Sequence, residues 1–138
     1  MVVYEGLAYV LRDRVVVHFL DLDSMGGIAR PRDYDLEEFP NSSHENIIRI
    51  GNDFSVDEQI KTIIHEFIHF SPKYLGDMDV FADKSQKDKA IELEKAIECE
   101  TLEVFREQPV LVDFVRGVYV TKEFNDLEDF LIYRKDKF

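Results

Sequence analysis

The chain has 138 residues, 45% of them apolar, and a formal net charge of −12. That length and apolar fraction suffice for one compact core, so a single domain spanning residues 1–138 is expected. A field of this sign repels phosphate backbones, no Lys/Arg cluster interleaved with aromatics overcomes it, and no apolar run approaches the roughly 20 residues of a bilayer span; neither nucleic acid nor membrane is an expected partner. The opening MVVYEGLAYVLRDR has neither the basic start nor the small-residue cleavage site of a secretory leader. Together with a lone Cys99, which can form no intrachain disulfide, this makes the cytoplasm the expected compartment.

In chain order, residues 2–11 and 14–20 are rich in Val, Tyr, Leu and Phe and are broken by Arg12-Asp13, the pattern of a β-hairpin. Residues 21–43 hold Gly26-Gly27, two prolines and many carboxylates without a sustained period; they read as a long loop with a helical turn near Leu36. NIIRIG, Asn46 to Gly51, reads as a short strand ended by Asn52-Asp53. Ser55 with Glu58 three residues later has the capping-box form, which predicts a helix from Val56 to about Phe70, before Ser71-Pro72. Lys73 to Lys87 reads as a connection with one short helical piece, and a second long helix is expected from about Asp88 to Glu107. Two further helices are expected over residues 110–120 and 124–133. The expected class is α+β, a small antiparallel sheet with two motif helices and C-terminal helices.

The first long helix contains HEFIH, His65 to His69. Positions i and i+4 share a helix face, so both imidazoles can meet one ion, and zinc accepts such nitrogens at about 2.0–2.1 Å. In H-E-x-x-H the glutamate, here Glu66, does not bind metal: it takes a proton from metal-activated water and passes it to the leaving amine. A plainer account also fits. Val56, Ile60, Ile63, Ile64 and Phe67 share one face, and both histidines fall opposite it, where solvated polar residues belong.

A hydrolytic zinc site needs a third protein ligand. On the second helix Ala90, Leu93, Ile97, Thr101, Val104 and Phe105 form a broad apolar arc, and Glu94 and Glu98 fall within it. Two carboxylates directed at a core require something positive, which zinc and a zinc-bound histidine supply. Glu94 reads as the better ligand and Glu98 as the better carboxylate to take the free N–H of a zinc histidine. A surface helix carrying both glutamates on its edge, paired with Lys95 or Lys61, is the competing account.

HEFIH followed by LEKAIECET, with Glu94 standing 25 residues after His69, resembles the gluzincin metallopeptidases, whose zinc is held by two histidines and a glutamate from a later helix. The short chain, with strands before the first motif helix and little after the second, is most similar to the minigluzincins, minimal stand-alone catalytic scaffolds. The resemblance covers roughly residues 46–109, and its loose glutamate-helix pattern leaves Glu98 or Glu100 open as the third ligand beside Glu94. It departs where the acid supporting a zinc histidine is often Asp, since Glu98 is one methylene longer. It implies that NIIRIG is the strand that pairs with a peptide substrate; for the residue stabilising the oxyanion it leaves His44, Tyr34 and Tyr74 as candidates. His18, alternating with valines, reads as structural, and Cys99 as a small packing residue.

The expected function is therefore zinc-dependent peptide hydrolysis, with His65, His69 and Glu94 as metal ligands, Glu66 as base and acid, and a peptide or protein as substrate. The alternatives are a catalytically inactive zinc-binding or interaction domain and a regulatory peptidase that cuts a repressor. The tail FLIYRKDKF carries Arg134, Lys135 and Lys137 beside Tyr133 and Phe138 on an acidic chain. It is expected either to restrain the enzyme by lying near an acidic cleft or to end a helix docked on the fold.

Overall fold

A computed structural model of the chain describes residues 15–20, 27–30, 46–77, 80 and 83–137. Helices make up most of these residues. They pack on a three-stranded sheet of β1 (Val15–Leu20), β2 (Gly27–Arg30) and β3 (Asn46–Gly51), in the order β1-β3-β2.

The sheet is mixed where an antiparallel one was expected. β1 runs parallel to β3, with Val15 opposite Asn46 and Leu20 opposite Gly51, whereas β2 runs antiparallel to it, with Gly27 opposite Ile50 and Arg30 opposite Ile47. A parallel pair needs a long crossover, and here residues 21–45 intervene between its strands. The other arm of the expected hairpin, residues 2–11, and the helical turn near Leu36 lie outside the described residues. GIAR falls in the expected loop, yet it is β2. Four residues beginning with glycine carry too short a pattern to read, and the strand is made by its ladder to β3.

NIIRIG is a strand over the expected residues. It is also the central one, hydrogen-bonded to a neighbour on either side, so its ladder groups are not available to a peptide as the resemblance implied. Its isoleucines explain the position: Ile47, Ile48 and Ile50 are 0–5% exposed, as suits a strand covered on both faces.

α1 (Val56–His69) starts where the capping box predicts, with Ser55 Oγ accepting from the Glu58 amide at 3.3 Å. At its other end Ser71 Oγ donates to the Ile68 carbonyl at 2.7 Å, and Pro72 opens the one-turn helix α2 (Pro72–Leu75). Ile60, Ile63, Ile64 and Phe67 are buried as expected, but Val56, in the exposed first turn, is 45% accessible. The opposite side is not solvated. His69 and Glu66 are each 5% exposed, because α3 (Lys87–Glu107) lies along that side. α3 buries Ile97, Thr101 and Val104, with Thr101 Oγ1 donating to the Ile97 carbonyl at 2.8 Å so that its buried hydroxyl is paired.

The helix expected over residues 110–120 divides into α4 (Pro109–Val115) and a π-helical turn over Arg116–Val120. Widening places Gly117 directly under the Phe124 ring, and the Phe124 amide donates to the Gly117 carbonyl at 3.0 Å. The chain turns at Lys122, whose φ of 59° is left-handed, into α5 (Leu127–Lys137). α5 docks by aromatic edges, Phe130 on Phe114 and Phe124 and Tyr133 on Phe124.

A Cβ at Gly117 would lie 2.5 Å from Phe124 Cδ2 and 2.6 Å from its Cε2, and that ring is held by two other aromatics. Gly117→Ala is therefore expected to destabilise the fold by about 1–3 kcal/mol, measured by urea unfolding. Gly76, where an added methyl group would meet nothing within 4 Å, serves as the control and should change stability by less than about 0.5 kcal/mol on the same substitution.

Candidate metal centre

α1 presents His65 and His69 one turn apart, their ring centroids separated by 5.2 Å. The Glu94 carboxylate from α3 spans them. Its Oε2 lies 2.9 Å from His65 Nε2 and its Oε1 3.0 Å from His69 Nε2. One helical turn along α3, Glu98 Oε2 lies 3.0 Å from His65 Nδ1. Glu66, next to His65 in the chain and buried, acts on His65 through its charge.

The imidazoles are the better-covered half of the centre. Side-chain exposure is 13% for His65 and 6% for His69, against 46% for Glu94 and 55% for Glu98. The two glutamates thus sit at the margin of the helix interface, not facing the core as their phase on α3 suggested. Their long side chains reach over the histidines from that margin.

Burial by itself lowers the His65 pKa, but the hydrogen bond from Glu94, the charges of Glu66 and Glu94 and the bond from Glu98 outweigh it and raise the value from 6.5 to about 9. For Glu94 burial acts upward, and the hydrogen bonds and charges of His65 and His69 outweigh that, lowering it from 4.5 to about 2. At neutral pH the metal-free pair is therefore an imidazolium donating through Nε2 to Glu94 and through Nδ1 to Glu98.

Ligand atoms of His65, His69 and Glu94 all lie within 4.8 Å of one another. Donors about 2.0–2.1 Å from a tetrahedral ion stand about 3.3 Å apart, close to the 2.9 and 3.0 Å of the two Glu94 contacts. Two imidazoles and a carboxylate also suit zinc chemically. A cation held here would take the place of the proton on His65 Nε2, while Nδ1 would keep its proton and donate it to Glu98, which would hold the ring and its tautomer. The group could hold a metal ion, and its donor types suit zinc.

The other sequence candidates separate from this group. Glu100 Oε1 accepts from Lys73 Nζ at 3.3 Å, and Tyr74, 5% exposed, interacts with the same Glu100 and Lys73. Lys61 stands over the Phe105 ring at 4.9 Å and, among the described residues, pairs with neither Glu94 nor Glu98. Cys99 is exposed, a correction to its reading as a packing residue. His18 occupies β1 opposite Arg49, while His44 and Tyr34 lie outside the described residues. Sequence reasoning missed the wall beside the centre, an open groove that Lys87, Ala90, Ile91 and Lys95 line with His65, Glu94 and Glu98. The i,i+4 repeat Lys87-Ile91-Lys95 was its available signal.

Compared with known proteins, the chain matches no family, no characterised protein and no solved structure.

Two measurements test the centre. By calorimetric titration the chain should take up one zinc ion; His65→Ala or His69→Ala should abolish uptake, Glu98→Ala should weaken it about 10–100-fold, and Glu100→Ala should leave it unchanged. In metal-free protein the His65 contribution to stability is fully present below pH 6.5 and lost as pH rises through about 9. The Glu94 contribution is present above pH 4.5 and lost as pH falls through about 2. The stability difference between wild type and His65→Gln, from urea midpoints, should therefore shrink between pH 6.5 and 9, and saturating zinc should remove that shrinkage because metal-bound imidazole is neutral.

Proposed function

We propose that this chain is a zinc-dependent peptidase on an α+β scaffold of the minimal gluzincin type. The observation that carries the reading is the Glu94 carboxylate bridging His65 and His69 beside a buried Glu66, the donor set and the base that metal-assisted peptide hydrolysis requires. Zinc held by His65, His69 and Glu94 would activate water for attack and polarise the scissile carbonyl.

The chain's own residues supply the rest. Glu66 follows His65 directly on α1, so its carboxylate is held beside the ligands without occupying their face; it accepts the proton of the attacking water and delivers it to the departing amine. Its burial, at 5% exposure, keeps competing bulk water from that carboxylate. Glu98 accepts a hydrogen bond from His65 Nδ1–H, which keeps the ring oriented and its other nitrogen basic. With β3 flanked on both sides, an extended substrate would pair with one of the two strands, β1 and β2, that edge the sheet among the described residues.

Glu66→Gln should retain one zinc per chain and lose at least about 100-fold in kcat on an unfolded protein substrate, because the amide cannot take the proton. Activity surviving in that variant removes Glu66 from the mechanism. A zinc-loaded wild type that cleaves nothing would favour the non-catalytic metal-binding domain.

A further inference from the structure

α3 carries a row of side chains that the metal centre does not use. Lys87, Ile91 and Lys95 succeed one another at i,i+4 spacing, alongside the row of Ala90, Glu94 and Glu98. These two rows line an open groove of about 430 Å³ that reaches His65. Ile91 is 43% exposed, an apolar side chain left uncovered beside a polar centre. Neither Lys87 nor Lys95 has an ion-pair partner among the described residues.

The spacing of the row matches that of an extended peptide. With a helical rise of 1.5 Å per residue, Ile91 lies about 6 Å along the axis from each lysine. Alternate side chains of an extended chain stand about 6.8 Å apart. An apolar side chain resting on Ala90 and Ile91 therefore brings the residues two positions before and after it to Lys87 and Lys95. The net charge of −12 opposes an acidic ligand at long range, but screening over about 8 Å leaves the nearest charges to decide at contact. Glu94 and Glu98 in the same groove are engaged by His65 and His69, and a divalent cation at the centre offsets their charge.

We propose that this groove is the substrate-selecting site of the peptidase, taking extended peptide segments in which an apolar residue has Asp or Glu two positions away on each side. The inference rests on the peptidase reading, and a binding experiment separates the two. Labelled peptides of equal length, differing only in Asp, Asn or Lys at the two flanking positions, are titrated against the zinc-loaded Glu66→Gln chain, with fluorescence anisotropy as readout. The Asp peptide should bind about three- to tenfold more tightly than the Asn peptide, as two partly exposed ion pairs allow, with the Lys peptide weakest. Lys87→Glu combined with Lys95→Glu, with unchanged zinc content and circular dichroism, should reverse that order. Equal binding of all three peptides, binding of none, or an order that survives the charge reversal overturns the proposal. Hydrolysis of the same peptides by wild type supplies the second arm. Selective binding without cleavage sinks the peptidase and leaves the groove standing, whereas cleavage without flank preference sinks the groove and leaves the peptidase.

Discussion

The contact between the Glu94 carboxylate and the two imidazoles of α1 is the constraint around which the helices are arranged. α1 is covered on both sides, its isoleucines by the sheet and the following helices and its histidine side by α3. Covering apolar groups is favourable without further conditions, at about 25 cal/mol per Å². Covering His69 and Glu66 is not, since a buried polar group costs free energy unless it is matched. Glu94 supplies the match for the histidines by reaching both rings with one side chain, which requires α3 to pass at one height and one rotation relative to α1. The buried residues Ile97, Thr101 and Val104 on α3 are compatible with that rotation, and the two demands select the same packing.

The metal-free centre is held by charge. Protonated His65 donates from Nε2 to Glu94 and from Nδ1 to Glu98, and its elevated pKa and the depressed pKa of Glu94 are two views of that attraction. The half-exposed glutamates limit what the attraction contributes, because solvent screens them. The same exposure leaves the outer side of the centre open to the groove. Coverage of the histidines and openness of the glutamates are thus complementary features of one interface.

The sheet acts on function mainly through its order. A central β3 gives α1 a floor of Ile48 and Ile50, and its ladder groups are taken up by β1 and β2. At the far end, Gly117 lets Phe124 close against the π turn while α5 docks through Phe130 on Phe114 and Phe124.

Local signals in the sequence determined α1, α3, β3 and the pairing of His65 with His69. A capping serine, a 3.6-residue apolar period and an i,i+4 spacing act within a few residues of chain and need no partner to be read. They also narrowed the third donor to Glu94 or Glu98, because helical phase is a local property. What phase could not supply was reach. Glu94 lies at a margin, 46% exposed, and only the height at which α3 crosses α1 brings it over both histidines while Glu100 meets Lys73. Sheet order was equally out of local reach, since GIAR becomes a strand by pairing with β3 and the parallel partner of β3 is separated from it by residues 21–45. Pairing across such a distance depends on which surfaces the helices leave to be covered, and that is decided by the packed chain as a whole.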